Sequence, residues 1–124
     1  MEFKLQSLED GFAVIKTFCQ QQQIPDEECY KINLVSEELI VNLLKYTGAG
    51  KYFLELSRKN NSTVIRLCYT ADEFNPTHVP EKERENVEKM EYGGLGLYLV
   101  NSVAKEVKYH YDEKKSLNDI EIIV

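Results

Sequence analysis

Apolar residues recur at helical spacing soon after the start of the chain. The short alternating segment "EFKL" predicts a strand, and Ser7 then offers a helix N-cap with Asp10 three residues later. Beyond this cap the apolar positions step by four, three and four residues, which predicts a first helix. These positions are Leu8, Phe12, Ile15 and Cys19.

A second apolar helix follows the break at Pro25. Asp26 is predicted to cap it, with Glu27 and Glu28 in the first turn, where the positive end of the helix dipole favours acids. The apolar stripe predicts a helix that runs to about Tyr46 and ends at "TGAG".

Two alternating segments, "KYFLELSRK" and "STVIRLCYT", meet at Asn60 and Asn61. Asparagine tolerates the positive φ of a tight turn, so the pattern predicts an antiparallel hairpin. Alternation assigns one set of side chains to its better buried face: Tyr52, Leu54, Leu56, Ile65, Leu67 and Tyr69.

From Ala71 the chain loses its pattern and becomes densely charged. A long connection without its own core is usually a mobile functional loop or a disordered segment, and residues 71–94 are predicted to form a lid. The glycines that follow open a third predicted helix. "VKYHY" and "DIEIIV" then alternate as strands. The inner side of this last helix is assigned to Leu99, Val100, Val103, Ala104 and Val107.

The predicted element order is β-α-α-β-β-lid-α-β-β. Helices with one apolar stripe, combined with alternating strands, favour an α+β fold of the two-layer α/β sandwich type. Its sheet is predicted to be mixed but mostly antiparallel, with the helices on one face. Residues 1–124 show no internal repeat or linker, so one domain is expected.

Composition narrows the function classes. The formal charge is −6, and no face rich in Lys or Arg stands out, which argues against nucleic-acid binding. The sequence contains neither a membrane-spanning run nor a signal peptide, so a cytoplasmic location is expected. The three cysteines lack CxxC spacing and are expected to be reduced and mostly buried.

The second helix carries polar residues that could do chemistry. Glu38 and Asn42 are four residues apart and so lie on one helix face. A carboxylate that accepts a proton and an amide oxygen that ligates Mg²⁺ would suit phosphoryl transfer. Because this spacing occurs readily by chance, the pair taken alone is better explained as an ordinary solvated helix face.

Glycines precede the third helix in "GGLGLYLVNSV". Backbone N–H groups at such a junction form an anion cradle, and the residues concerned are Gly93, Gly94, Leu95 and Gly96. A tight junction that needs positive φ is the alternative. The segment is neither a P-loop nor a dinucleotide fingerprint.

Together these segments resemble the GHKL ATPases, in particular the bacterial anti-sigma factor and serine-protein kinase branch. "SEELIVNLLKYTG" is similar to the family's N-box, "EFNP" to the end of its D-box and "GGLGLYLVNSVAKEVKY" to its glycine box. The resemblance implies that Glu38 is the general base, that Asn42 ligates Mg²⁺ and that the glycines close on the phosphates of ATP.

Three positions depart from the family pattern. Tyr46 stands where this branch usually has histidine. Alignment on Phe74 places Tyr69 and Ala71 where the D-box has the aspartate and glycine. That aspartate accepts a hydrogen bond from the adenine amino group, so its replacement by tyrosine predicts weakened or lost ATP binding.

Two functions are therefore weighed. One is a regulator that binds a protein such as a sigma factor or its antagonist without catalysis. The other is an active serine-protein kinase or ATPase that uses ATP and Mg²⁺. Tyr109 and Tyr111 lie on one strand face and are compatible with a partner or homodimer surface, although strand aromatics also fit a core.

Overall fold

A computed structural model of the chain describes residues 2–77 and 100–124. Within these ranges it contains two complete helices and five strands, and residues 100–103 are also helical. The elements are β1 (Glu2–Leu5), α1 (Leu8–Gln21), α2 (Asp26–Tyr46), β2 (Tyr52–Lys59), β3 (Ser62–Thr70), β4 (Glu106–Asp112) and β5 (Leu117–Ile123).

The helix boundaries follow local sequence signals. The Ser7 side chain accepts a hydrogen bond from the Asp10 backbone N–H at 3.2 Å, which confirms the predicted cap of α1. The predicted cap of α2 is wrong, because Pro25 occupies the cap position and Asp26 is already helical. Because Pro25 has an extended ψ of 147°, helix α2 begins at Asp26, one residue earlier than the sequence predicts.

The strands form one sheet in the order β1-β2-β3-β5-β4. Each of the four ladders between these described strands is antiparallel, so this part of the sheet is not mixed. Asn60 and Asn61 have φ values of 50° and 65°, as predicted for the turn between β2 and β3. Leu54 lies opposite Leu67 in this hairpin, which keeps the apolar side chains on one face.

The core lies between this face and the helices. All six hairpin side chains predicted to be better buried are in it. The helices and strand β5 supply most of the rest: Ile15, Phe18, Ile32, Val35, Leu39, Ile40, Leu43, Ile120 and Ile122. Alternate residues such as Phe53 and Arg66 lie on the opposite face, which we call the outer face of the sheet. The predicted α+β sandwich is confirmed.

One residue of the third predicted helix is misassigned. Val107 lies in β4 and is 37% exposed, whereas Val100 is buried as expected. The Lys105 N–H donates to the carbonyl of Ile123 at 2.7 Å, so the chain already pairs with β5 there. Strand pairing therefore ends the helical period before Val107.

The cysteines were expected to be reduced, and this is wrong for two of them. Cys19 and Cys29 form a disulfide between α1 and α2, with their Cα atoms 6.1 Å apart, while Cys68 is free. Sequence spacing carries no information about this approach, which depends on how the two helices pack.

Candidate functional site

The candidate site is built on α2. Glu38 and Asn42 lie one turn apart on that helix and are 6% and 2% exposed, so neither belongs to an ordinary solvated face. Their burial removes the simpler explanation for the pair. It leaves a carboxylate and an amide directed into the protein from one helix face.

Glu38 has the properties of a proton acceptor. Its Oε2 atom is buried and has no hydrogen-bond partner among the described residues. Burial, and secondarily the negative charge of Glu37, raise the pKa of Glu38 to about 6. Such a carboxylate is ionised at neutral pH and is more basic than an exposed one.

Asn42 holds the segment that follows β3. Its Nδ2 donates to the carbonyl of Pro76 at 3.0 Å. One turn further along α2, the ring of Tyr46 packs against Phe74 with centroids 5.6 Å apart. Residues 71–77 are the described part of the predicted lid. The contacts of Asn42 and Tyr46 hold this segment against helix α2.

Tyr69 lies near the end of β3 and points into the core with 1% exposure. Its hydroxyl donates to the carbonyl of Phe74. Burial, with a smaller effect of Tyr109, raises the pKa of the phenol well above its usual value. The side chain that the family resemblance aligns with the D-box aspartate is therefore a neutral ring whose hydroxyl donates to the protein backbone.

Asn118 on β5 organises the same region and was not singled out from the sequence. Its Oδ1 accepts from the Phe74 N–H at 2.9 Å and from the Tyr109 hydroxyl at 2.5 Å. Its Nδ2 lies 3.3 Å from the Ala71 carbonyl and 3.2 Å from that of Asp72. The sequence signal for this residue is a polar side chain on the same strand face as the apolar Ile120 and Ile122.

Ala71, which the family resemblance aligns with the D-box glycine, belongs to this network through its backbone. Its N–H donates to the carbonyl of Ser116 at 3.0 Å, and its side chain packs against the core. The structure thus brings Asn42, Tyr46 and Tyr69 onto residues 71–77, which include Ala71, and places Glu38 one turn before Asn42 on α2. Gly93, Gly94, Leu95, Gly96 and the lid beyond Thr77 lie outside the described residues.

The implied cofactor can be tested against these residues. The amide oxygen of Asn42 is of the type that ligates Mg²⁺, and the Oε2 of Glu38, which has no partner among the described residues, can accept a proton. In the described ranges, no group of three His, Cys, Asp or Glu side chains could hold a metal. Where the resemblance would place adenine, the buried phenol of Tyr69 does not fit, because it offers no carboxylate to an amino group.

The sequence profile of the family described as histidine kinase-like ATPase domain matches residues 1–123. The chain belongs to this family. The match covers both the α2 residues of the candidate site and the segment with the glycines, and it confirms the resemblance noted from the sequence. In general, ATP and Mg²⁺ binding is what this family implies.

The fold also occurs among solved structures. The fold is similar to a chain in the crystal structure of the SiaB-SiaC complex from Pseudomonas aeruginosa, with a TM-score of 0.67 and 13% identity. The match covers 100% of this chain and 88% of that one, and at this identity it shows the fold alone. No curated protein matches the sequence. Neither complete helix in the described ranges is long and apolar enough to cross a membrane.

Proposed function

We propose that this histidine kinase-like ATPase domain is a regulatory protein that binds a protein partner and has weakened or lost ATP binding. One observation carries the proposal. Tyr69 fills the D-box aspartate position with a buried ring whose hydroxyl donates to Phe74. The scaffold is thereby retained while its adenine-recognition group is replaced.

The physical cost falls on the adenine amino group. A carboxylate accepts a hydrogen bond from that group, whereas the Tyr69 hydroxyl already donates to the Phe74 carbonyl. Leaving a buried donor unpaired costs about 1–3 kcal/mol, which is roughly a 5- to 150-fold loss of affinity. The ring also occupies volume that the shorter aspartate would leave open.

The proposed partner is a protein of the sigma-factor or anti-sigma-antagonist type, as the family resemblance implies. The solved neighbour is itself described as a complex of two proteins, which supports partner binding on this scaffold. The formal charge of −6 disfavours nucleic acid as the ligand. We place this activity in the cytoplasm.

Homodimerisation was a further expectation from the tyrosines of β4. Tyr109 packs against the core and its hydroxyl donates to Asn118, so it serves the site network. Tyr111 is half-buried on the same strand. Tyr109 therefore gives no evidence of a dimer surface, and we propose a different protein as the partner.

A second function is favoured by Glu38. Its Oε2, which has no hydrogen-bond partner in residues 2–77 and 100–124, and its pKa of about 6 suit a general base in an active serine-protein kinase or ATPase. Bound ATP would supply the phosphoryl group. Glu38 would then take the proton from an acceptor hydroxyl, and the Oδ1 of Asn42 would ligate Mg²⁺.

Calorimetric titration with ATP and Mg²⁺ separates the two functions. The unmodified protein is expected to show no binding heat, and the double variant Tyr69→Asp/Ala71→Gly is expected to gain micromolar affinity. Tyr69→Phe is the matched control, since it keeps the ring and removes only the hydroxyl. The Tyr69→Phe variant should show no binding heat. Micromolar binding by the unmodified protein would refute the proposal and favour the kinase.

A transfer assay then tests catalysis in whichever form binds ATP. Phosphorylation of a partner serine, or release of phosphate, should disappear in Glu38→Gln and persist in Glu113→Gln, which changes an exposed carboxylate in the β4–β5 turn. Equal rates in these two variants would remove Glu38 from the role of general base.

A further inference from the structure

The disulfide joins two helices beside an open cavity. Cys19 lies near the end of α1 and Cys29 in the first turns of α2, with ten residues of sequence separation. Both cysteines line a cavity of about 650 Å³ together with Phe12, Lys16 and Asn33. The bridge is therefore next to solvent-connected space and not sealed within the core.

The two sulfurs differ in their surroundings. Cys19 is 6% exposed, whereas Cys29 is half-buried, so Cys29 is the easier target for an incoming thiolate. The Nδ2 of Asn33 lies 3.7 Å from the Cys29 Sγ and donates to the Cys29 carbonyl at 3.2 Å. This amide remains as a donor to Cys29 when the bridge is open.

The fold does not depend on this bridge in the way that small disulfide-rich domains do. The core is built from apolar side chains of both helices and the sheet, and it continues well away from the two cysteines. Disulfide-dense domains are those that cannot build such a core. A single disulfide at one helix junction can change the stability of that junction, but it is not needed to hold the whole fold together.

We propose that Cys19–Cys29 is a thiol–disulfide exchange site, which reversibly fixes the junction between α1 and α2 and takes a cellular dithiol as its reductant. A thiolate of the dithiol attacks the Cys29 Sγ, the S–S bond breaks, and its electron pair goes to the Cys19 Sγ, which takes a proton. The second thiol of the reductant attacks the mixed disulfide and releases Cys29 as a thiolate. Two electrons thus pass from the dithiol, which becomes a disulfide, to the cysteine pair.

The bridge reinforces backbone contacts at the same junction. The Gln22 N–H donates to the Phe18 carbonyl at 2.9 Å, and the Ile24 N–H donates to the Cys19 carbonyl at 3.0 Å. Opening the disulfide removes the covalent constraint on this turn and leaves only backbone hydrogen bonds and side-chain packing to hold it. The start of α2, which carries the candidate site further along, is thereby loosened.

The remaining thiol, that of Cys68, is poorly placed to take part in disulfide exchange. Cys68 lies on the outer face of the sheet with Phe53 and Arg66, in a different cavity from the bridge. Burial, followed by the charge of Asp119, raises the pKa of Cys68 to about 11, so the thiol is protonated at neutral pH. Exchange chemistry is therefore confined to the cysteine pair between the helices.

The test uses the full chain in native buffer. Non-reducing peptide mapping should find Cys19 joined to Cys29 after treatment with oxidised dithiothreitol and separate after treatment with the reduced form. Reduction should lower Tm by several degrees and speed amide hydrogen exchange at Gln22 and Ile24, and reoxidation should restore both. Cys68→Ser is the matched control and should respond like the unmodified protein.

Variants of the pair complete the test. Cys29→Ser should have the Tm of the reduced protein under both conditions. A bridge that yields to dithiothreitol only in denaturant would overturn the proposal, as would reduction without any change in Tm or exchange. Failure to form the bridge in oxidised dithiothreitol would also overturn it. None of these outcomes depends on whether ATP binds.

Discussion

At the scale of single residues, the buried carboxylate of Glu38 makes a stability prediction. Burial raises the pKa of Glu38 from 4.5 to about 6, so the folded state binds its proton more tightly than the unfolded state. This contribution to stability is complete below pH 4.5 and is lost as the pH rises through about 6. At neutral pH the ionised carboxylate therefore destabilises the fold.

Glu38→Gln should consequently raise the free energy of unfolding at pH 7 by about 1–2 kcal/mol, because it removes a buried charge. Urea unfolding at pH 4.5 and pH 7 measures the effect, which should be much smaller at the lower pH. Glu113→Gln removes an equal charge from an exposed turn and should change stability little at either pH. Equal effects of the two variants would contradict the prediction.

Asn118 makes a second prediction at this scale. Asn118→Ala leaves the Phe74 N–H and the Tyr109 hydroxyl without their acceptor and frees the carbonyls of Ala71 and Asp72. The free energy of unfolding should fall by about 3 kcal/mol. Tyr109→Phe removes one partner of the same amide and should cost about 1 kcal/mol. Chemical denaturation compares them, and a near-neutral Asn118→Ala would be the contrary result.

At the scale of elements, α1 approaches the sheet closely at Gly11. A Cβ atom built there would lie 2.9 Å from the Tyr52 hydroxyl oxygen and 3.0 Å from the Ile40 Cδ1. The Tyr52 hydroxyl is held by donation to the Ser7 carbonyl at 2.6 Å, so it cannot move away freely. The close packing of α1 on β2 therefore requires a residue without a side chain.

Gly11→Ala should destabilise the protein by about 1–3 kcal/mol, although alanine is the better helix former by about 1 kcal/mol. Gly48→Ala is the matched control, because no atom lies within 4 Å of its added Cβ. In thermal denaturation the first variant should melt lower and the second should melt near the unmodified protein. Adding Tyr52→Phe should reduce the loss at Gly11, and independent, additive effects would contradict the proposed contact.

The element boundaries show how far periodicity reaches. The apolar steps located α1, α2 and the β2–β3 hairpin because burial on one face leaves a direct trace in the sequence. Periodicity misplaced Val107, since a valine after a helical stripe fits either a helix or a strand. Pairing of Lys105 with Ile123 decided that question, and such pairing is not local.

At the scale of the whole molecule, ligand binding is coupled to unfolding. A ligand at 100 times its Kd stabilises the folded state by about 2.7 kcal/mol when it binds only that state. Saturating ATP and Mg²⁺ should therefore leave the Tm of the unmodified protein unchanged and raise that of Tyr69→Asp/Ala71→Gly. Differential scanning calorimetry measures both. An equal rise in the two proteins would mean that the Tyr69 ring does not impair binding.

The candidate site could be predicted in part because its residues follow a spacing. Glu38 and Asn42 were predicted from their four-residue spacing on one helix, and Tyr69 from the alternation of inward and outward residues along a strand. The structure buries all three. Asn118 was missed because its partners come from β3, β4 and the 71–77 segment. A hydrogen-bond network of that kind has no signature in the local sequence.

The sequence by itself determined the α+β class, both complete helices, the hairpin and the family, because each of these rests on periodicity or on short motifs. Only the tertiary structure decided that the Glu38 Oε2 is buried with no hydrogen-bond partner in the described part of the chain, that the Tyr69 hydroxyl donates to Phe74, and that Cys19 meets Cys29. The physical reason is the same in each case. Burial, hydrogen-bond partners and sulfur distances are set by segments far apart in the chain, and they exist only once those segments have packed.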